Sequence, residues 1–177
     1  MAFLVPDEII KSLPLENGMI VADIGAGSGA FAIPLARNVG DGGKVYAIDI
    51  NKEVLVKIKK DAKEANLSNV EIIWANAEVK DGTKLSDNSV DFVLVSNLLF
   101  QAEDKKGLVE EISRILKPKG MIAVIEWKGS FGGIGPKESA VVSESEAQKL
   151  FSDSLFAEYN KFNAGDYHYG VVFVKIK

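Results

Sequence analysis

Apolar residues alternate along the chain between short runs typical of buried strands and longer stretches with helical spacing. Met19–Ile24 and Lys44–Ile50 are runs of the strand type. Between them, one helix face is formed by Phe31, Leu35, Ala36 and Val39. Asn51 can cap a second helix. The apolar stripe of that helix comprises Val54, Leu55, Ile58, Ala62 and Ala65. The chain therefore begins as an alternation of strands and helices.

The alternation continues through the middle of the chain. Val70–Trp74 and Val90–Val95 are strand-like, and apolar positions between Asp104 and Leu116 again form a helix face. Residues 118–120 (Pro-Lys-Gly) stop this helix before a buried strand, Met121–Trp127. Because these strands are continuous apolar runs, we predict a parallel sheet covered by helices on both faces.

The last third of the chain has a different pattern. Glycines 129, 132, 133 and 135 form a flexible connection. Ser143 and Glu146 then form a capping box, with Val142 and Ala147 as its hydrophobic staple, so another helix starts there. Two final strands follow, over 155–162 and 168–176. The few residues between these strands are too short for a parallel crossover of about a dozen, which predicts an antiparallel hairpin.

Length and composition predict one domain over residues 1–177. The chain is 47% hydrophobic and 26% charged, as ordinary globular proteins are. Its net charge of −4, without a basic cluster, argues against broad electrostatic binding of nucleic acid. Because cysteine is absent and His168 is the single histidine, thiolate and multi-histidine metal sites are excluded.

Hydropathy also bears on location. At about five residues, the longest apolar runs are much shorter than the roughly 18 that a membrane span needs. The start of the chain lacks the basic and then apolar pattern of a signal peptide. We therefore expect no membrane span and a cytoplasmic location.

The most informative segment is the glycine-rich turn after the first strand, Ala22–Ala30 (ADIGAGSGA). Glycines at alternate positions let the backbone approach a ligand, and the N–H groups at the start of the next helix suit a carboxylate or phosphate. Asp49 ends the second strand, 24 positions after Gly25. A doubly wound fold places an acid there against ribose hydroxyls.

The same pattern leaves two cofactor classes open. Gly25, Gly27 and Ala30 satisfy the G-x-G-x-x-G/A pattern of an NAD(P) site. Asp23, however, places a carboxylate beside the loop, where it would repel a pyrophosphate and could pair with an ammonium group. This favours a nucleotide that bears an amino acid, while a small NAD(P)-dependent oxidoreductase remains the alternative.

Four segments together resemble class I S-adenosylmethionine-dependent methyltransferases, in the style of the ubiquinone and menaquinone biosynthesis group. They are VADIGAGSG (21–29), YAIDI (46–50), SVDFVLVSN (89–97) and RILKPKGMIAVIEW (114–127). The resemblance implies an α/β, Rossmann-like, doubly wound and mostly parallel seven-stranded sheet. Its implied strand order is 3-2-1-4-5-7-6, with strand 7 antiparallel.

The resemblance also implies a cofactor site for S-adenosylmethionine, with S-adenosylhomocysteine as product. Glycines 25, 27 and 29 would contact the methionine moiety, Asp49 the ribose hydroxyls and Ile50 the adenine. The family often has an acid near position 76 for the adenine amine, and here either Asn76 or Glu78 would replace it. The implied cofactor set is Asp23, Gly25, Ala26, Gly27, Gly29, Asp49, Ile50, Asn76, Ala77 and Asn97.

Candidate acceptor residues lie near the carboxyl ends of the strands, where open parallel sheets bind ligands. Gln101 is a polar neighbour of the fourth strand. Glu126 either orients or deprotonates the acceptor or is a solvated strand-end acid, and His168 is either a base or an exposed strand histidine. Leu98, Leu99 and Phe100 form either an acceptor wall or core, and residues 129–135 either a lid or a link. No catalytic residue is assigned.

The predicted function is methyl transfer from S-adenosylmethionine to a small-molecule acceptor. The Asn/Asp-Pro-Pro-aromatic pattern of amino-directed nucleic-acid methyltransferases is missing, since strand four leads into residues 96–99 (Ser-Asn-Leu-Leu). Without a large insertion for the acceptor, the site is open, small or completed by another subunit, as in a homodimer. The alternatives are a protein or RNA methyltransferase, an NAD(P)-dependent oxidoreductase, and a binding module that has lost turnover.

Overall fold

The computed structural model describes residues 4–152 and 155–176. Its α-helices are α1 (Pro6–Ser12), α2 (Ala32–Val39), α3 (Lys52–Glu64), α4 (Lys105–Ile115) and α5 (Glu144–Ser152). Its strands are β1 (Ile20–Ile24), β2 (Lys44–Asp49), β3 (Val70–Trp74), β4 (Val90–Ser96), β5 (Leu116–Trp127), β6 (Phe156–Asn163) and β7 (His168–Lys175). A short 3-10 turn covers Glu138–Ala140. Residues 1–3, 153–154 and 177, which the single-domain prediction also covers, lie outside the described part.

The seven strands form one sheet in the order β3-β2-β1-β4-β5-β7-β6. β1 pairs in parallel with β2 and β4, and β2 with β3 and β4 with β5 are parallel as well. β7 runs antiparallel between β5 and β6. The predicted sheet, its order and its terminal hairpin are confirmed.

Helices cover both faces of the sheet. On one face, α1 and α2 pack Ile10 and Leu35 against the buried Val21 of β1, and α3 adds Leu55 and Ile58. On the other face, the core is formed with α4 and α5. Because both faces are buried, the strands are apolar along their whole length rather than at alternate positions.

Side-chain caps set the starts of three helices. The backbone N–H of Glu53 donates to Oδ1 of Asn51 across 2.9 Å, which confirms the predicted cap of α3. At α5, Ser143 N–H donates to Oε2 of Glu146 across 2.8 Å, and the N–H of Glu146 returns to the Ser143 hydroxyl. Asp104 caps α4 in the same way, accepting the N–H of Gly107. These bonds satisfy backbone donors that a helix start leaves unpaired.

Two elements differ from the sequence prediction. β5 begins at Leu116, directly after α4, rather than at Met121. Pro118 is therefore tolerated within the strand, where the β4–β5 register shifts between Val90 and Phe92. α1 was not predicted from the sequence, although Pro6 stands at its first position and two acids follow in its first turn.

The longest helix among the described residues is α3, with 13 residues. Within residues 4–152 and 155–176, no helix is both long and apolar enough to cross a membrane.

Candidate functional site

A cavity of about 420 Å³ opens at the carboxyl ends of the parallel strands. This size falls in the range of small-molecule sites. The cavity is lined by Ile24, Gly25, Gly27, Ile48, Asp49, Ile50, Asn51, Val54, Ala75, Asn76, Ala77, Glu78, Asn97, Leu98, Gln101 and Leu108. It lies at the edge of the sheet where the fold class binds its ligands.

The glycine loop after β1 forms one wall of this cavity. Gly25 has φ +71°, and a Cβ there would lie 3.0 Å from the side chain of Leu98 across the cavity. Gly29 has φ +81°, and its Cβ would lie only 2.6 Å from Ile58 of α3. Gly25 and Gly27 line the cavity, whereas Gly29 lets the loop pack on α3. Gly25 and Gly29 both require glycine, because φ is positive at each and a neighbouring side chain lies close to the Cβ position.

Asp49 ties this loop to the end of β2. Its Oδ2 accepts the backbone N–H of Gly27 across 2.9 Å, and its Oδ1 accepts that of Asn51 across 2.8 Å. A carboxylate oxygen can accept more than one hydrogen bond. Asp49 can therefore hold the loop and still accept hydroxyl groups from a ligand in the cavity.

Asp23 lies within β1, immediately before the loop. Only 2% of its surface is exposed, and its Oδ2 has no hydrogen-bond partner among the described residues. Burial, together with the charge of Asp49, raises the pKa of Asp23 to about 7. A buried carboxyl group without a cation strongly favours a cationic partner, because the partner would offset the cost of its charge.

The segment after β3 brings Asn76 and Glu78 to the cavity. Oδ1 of Asn76 accepts the backbone N–H of Glu78 across 2.9 Å. The Glu78 carboxylate accepts the N–H of Asp104, the cap residue of α4, across 2.6 Å. Glu78 thus holds the start of α4, and each of these side chains already has one backbone partner.

The turn after β4, residues 97–102 (the 97–102 turn), forms the opposite wall. Asn97 has φ +55°, and its backbone N–H donates to Ile125 across 2.8 Å. Its Oδ1 is buried and unpartnered within the described chain. Leu98 and Gln101 also line the cavity, whereas Leu99 is core and Phe100 packs against that core. Of the predicted apolar wall, Leu98 alone faces the cavity.

Glu126 and His168 are both buried, with exposures of 0% and 2%. The expectations of a solvated strand-end acid and an exposed strand histidine are therefore wrong. Glu126 lies under the 97–102 turn, where its Oε1 accepts the N–H of Leu99. The His168 ring lies 4.1 Å from that of Trp127. A position at a strand end therefore does not ensure contact with water.

Electrostatic effects differ between these two buried groups. Burial raises the pKa of Glu126 to about 7, despite the backbone N–H groups of Leu99 and Leu98. Burial and the nearby charge of Lys128 lower the pKa of His168 to about 4. His168 is consequently a neutral imidazole at neutral pH. Neither residue is among the described residues that line the cavity.

The cavity gathers most of the residues predicted from sequence. The predicted residues that line it are Gly25, Gly27, Asp49, Ile50, Asn76, Ala77, Glu78, Asn97, Leu98 and Gln101. Asp23, Ala26 and Gly29 lie behind or beside the wall, with Ala26 buried in the cluster with α3. Asn51 was predicted only as a helix cap, and five apolar lining residues were not predicted as part of the site at all: Ile24, Ile48, Val54, Ala75 and Leu108. Their apolar pattern marks strand ends and helix faces and carries no separate ligand signal.

A second buried network lies on α4. Oε1 of Glu111 accepts hydrogen bonds from the N–H and hydroxyl of Thr83, and Arg114 donates to the same carboxylate. Burial acts to raise the pKa of Glu111, but the bonds with Arg114 and Thr83 outweigh it and lower the pKa to about 2. The network fixes the loop between β3 and β4 and contributes no residue to the cavity wall.

The strand order, the antiparallel β7 and the glycine-walled cavity together define the class I methyltransferase fold. The chain belongs to the family described as a methyltransferase domain, whose model matches residues 15–163. It is 32% identical over 119 residues to the demethylmenaquinone methyltransferase of Listeria welshimeri. The aligned residues are 67% of this chain and 49% of the relative.

Two further relatives extend this comparison. The ubiquinone/menaquinone biosynthesis C-methyltransferase UbiE of Rickettsia prowazekii is 34% identical over 132 residues, covering 72% of this chain and 52% of that protein. A crystal structure of a SAM-dependent methyltransferase from Aquifex aeolicus superposes with a TM-score of 0.88 at 29% identity, covering 98% and 90% of the two chains. The resemblance seen in the sequence is confirmed. The chain spans about half the length of the curated relatives it matches.

Proposed function

We propose that this chain binds S-adenosylmethionine in the cavity and transfers its methyl group to a small-molecule acceptor, leaving S-adenosylhomocysteine. One observation carries the proposal. A single cavity brings together the glycine loop at Gly25 and Gly27, the strand-end carboxylate of Asp49, and Asn97 on the facing turn. Membership of the methyltransferase domain family supports the same cofactor.

The residues present fit this cofactor chemically. Asp23 and Asn97 each carry a buried oxygen without a described partner, and both oxygens suit the ammonium group of a methionine moiety. Asp49 would accept the ribose hydroxyls. Ile50, 70% exposed at the cavity edge, would pack on the adenine together with Val54.

The other predicted residues would shape the glycine loop or contact the adenine. Gly29 and Ala26 shape the loop, and Ala77 contributes apolar wall. Oδ1 of Asn76 would accept the adenine amine with its second lone pair. Glu78 is the weaker candidate for this contact, since its carboxylate already holds α4.

When bound, the cofactor would supply a methyl group activated by a positively charged sulfur, and the protein contributes position and exclusion of water. Leu98 would close the cavity over the glycine loop, to which it is already packed. Asn97 would be held at the reacting end by its backbone bond to Ile125. We assign no general base, because a base is needed only if the acceptor must lose a proton.

The acceptor is proposed to approach over the 97–102 turn. Gln101 is exposed there, and its Nε2 donates to the carbonyl of Asn97 across 2.7 Å. The charged side chains among the described lining residues are Asp49 and Glu78, which are both acidic and would repel a nucleic acid backbone. The names of the relatives make quinone-type compounds the first acceptors to screen. A homodimer remains a prediction.

A titration with three ligands tests the proposal. The purified chain is titrated calorimetrically with S-adenosylmethionine, S-adenosylhomocysteine and NADH, alongside thermal melts, because ligands of the native state raise the Tm by mass action. We expect both adenosyl ligands to bind and NADH to fail, since the Asp23 carboxylate beside the glycine loop would repel a pyrophosphate. Binding of NADH alone would replace the proposal with an oxidoreductase.

A further inference from the structure

Glu126 is a buried acid that the cofactor site does not use directly. It lies in β5 with no exposed surface, and its Oε1 accepts the backbone N–H of Leu99 across 2.5 Å. Its other oxygen, Oε2, is buried and has no partner within the described residues. A buried carboxylate costs several kcal/mol unless it is compensated, and the backbone N–H of Leu99 supplies part of that compensation.

The group that Glu126 holds is the 97–102 turn. The N–H groups of Gln101 and Ala102 donate to the carbonyl of Leu98, which makes this segment one helical turn. The first N–H groups of such a turn have no partner within it. The carboxylate of Glu126 supplies one for Leu99, and the backbone of Leu98 and Phe100 also interacts favourably with it.

The same turn forms the cavity wall opposite the glycine loop. The side chain of Leu98 lies against Gly25, because a Cβ there would be 3.0 Å away from it. Asn97 and Gln101 line the cavity beside Leu98. Asn97 has a positive φ, which asparagine adopts more readily than most residues, and its backbone N–H donates to the carbonyl of Ile125. Glu126 and Ile125, adjacent on β5, hold Leu99 and Asn97 respectively.

We propose that Glu126 is a positioning residue: its carboxylate anchors the 97–102 turn and thereby sets where Asn97 and Leu98 stand in the cofactor cavity. The inference rests on the proposed function. It gives Glu126 a part in cofactor affinity rather than in deprotonation of the acceptor.

Titratable groups near Glu126 lie on β7 and beside the 97–102 turn. Tyr169 of β7 pairs with it across the sheet, and burial and the charges of Glu126, Glu144 and Glu146 raise the pKa of Tyr169, so it stays neutral. On the side of the turn, Lys105 is bonded to the carbonyl of Ala102. Because burial raises the pKa of Glu126 to about 7, its charge changes within an accessible pH range.

The test compares E126L, E126Q and the control E111Q in the full chain. Glu111 is also a buried glutamate that accepts backbone N–H groups, but it lies on α4, outside the cavity wall. Loss of a charged hydrogen bond predicts about a tenfold higher Kd for S-adenosylmethionine in E126L. E126Q keeps one acceptor oxygen and should show about a threefold increase. E111Q should lower the Tm and leave the Kd within about twofold.

A spectroscopic reading separates anchoring from general stability. In the wild type, the amide proton of Leu99 should shift with a midpoint near pH 7 as Glu126 ionises, and in E126Q it should stay flat. This reading needs neither the cofactor nor a fully stable E126L. A Leu99 amide whose chemical shift is the same in the wild type and in E126Q at every pH overturns the inference.

The outcomes also separate this inference from the proposed function. If the wild type binds S-adenosylmethionine and both E126L and E126Q bind it with the wild-type Kd, the positioning role is overturned. The proposed function then stays in place. Failure of the wild type to bind overturns the proposed function. In that case the Leu99 titration alone still decides whether Glu126 anchors the turn.

Discussion

The backbone N–H of Gly27 donates to Oδ2 of Asp49 across 2.9 Å, so the glycine loop after β1 is bonded to the acid that ends β2. The sequence predicts the glycine loop and Asp49 as separate contacts for one ligand, and in the structure they are bonded to each other. The second oxygen of Asp49 is held by the N–H of Asn51 at the start of α3. Both oxygens are therefore oriented before any ligand arrives, which lowers the ordering cost of binding.

Replacement of Asp49 should strongly weaken cofactor binding. Asp49→Ala deletes the proposed acceptor of two ribose hydroxyls and also releases Gly27. Two charged hydrogen bonds predict a Kd for S-adenosylmethionine about 100-fold higher, measured by calorimetry. Glu64→Ala, which removes an exposed ion pair with Lys60 on α3, is the matched control and should leave the Kd unchanged. An unchanged Kd in the Asp49 variant would remove the central site assignment.

Gly29→Ala tests whether the loop needs glycine for conformation or for space. Gly29 has φ +81°, and a Cβ would lie 2.6 Å from the buried and stiff Ile58. Gly132 also has a positive φ, of +58°, but nothing lies within 4 Å of its Cβ position. We expect about 1 kcal/mol of destabilisation for Gly132→Ala and about 3 kcal/mol for Gly29→Ala in urea unfolding. Equal losses would show that close packing on Ile58 contributes nothing.

The sequence predicted the fold in detail because the fold depends on local signals. Apolar runs, the Asn51 cap and the capping box at Ser143 each act within a few residues, and all are present in the structure. β5 began earlier than predicted because pairing with β4 extends it to Leu116 despite Pro118. That pairing joins residues distant in sequence, where local propensity is overridden.

The site was predicted less completely, for a similar reason. Residues that carry a motif, such as Gly25 and Asp49, line the cavity as expected. The burial of Glu126 and His168 was not predictable, because it depends on which loops cover the edge of the sheet. Leu108 of α4 reaches the cavity through tertiary packing, and no pattern in the sequence distinguishes it from ordinary core.

The pKa of Asp23 predicts a pH dependence of cofactor affinity. Without ligand the pKa is about 7, raised by burial and by Asp49, so much of the carboxyl is protonated at pH 6. An ammonium group prefers the carboxylate, so S-adenosylmethionine should bind roughly tenfold more weakly at pH 6 than at pH 8, with proton release on binding. Calorimetry in buffers of different ionisation enthalpy measures this release. Asp23→Asn should bind weakly at both pH values, and a pH dependence of the same size in this variant would contradict the assignment.

Asp23 also predicts how stability changes with pH in the absence of ligand. Because its folded-state pKa lies above the ordinary value of 3.8, protonation stabilises the fold below about pH 4, and this contribution is lost as the pH rises to about 7. The loss is at most about 4 kcal/mol. Relative to the wild type, Asp23→Asn should therefore gain Tm between pH 4 and pH 7. Parallel Tm curves would show that the carboxyl has an ordinary pKa.

His168 predicts the opposite sign of pH dependence. Burial and Lys128 lower its pKa from 6.5 to about 4, so the folded state binds fewer protons than the unfolded chain between these values. The stability that the neutral His168 side chain contributes is present above pH 6.5 and is lost as the pH falls through 4. His168→Phe keeps an aromatic ring against Trp127 and should be more stable than the wild type at pH 4.5, by about 1–3 kcal/mol, relative to their difference at pH 8.

Lys128→Met is the companion variant, since removal of that charge should raise the pKa of His168 in an NMR titration. A pKa that stays at its ordinary value in the wild type would contradict the burial of the ring. If turnover of His168→Phe falls while its affinity for S-adenosylmethionine is unchanged, the residue also serves the acceptor, as the sequence suggested.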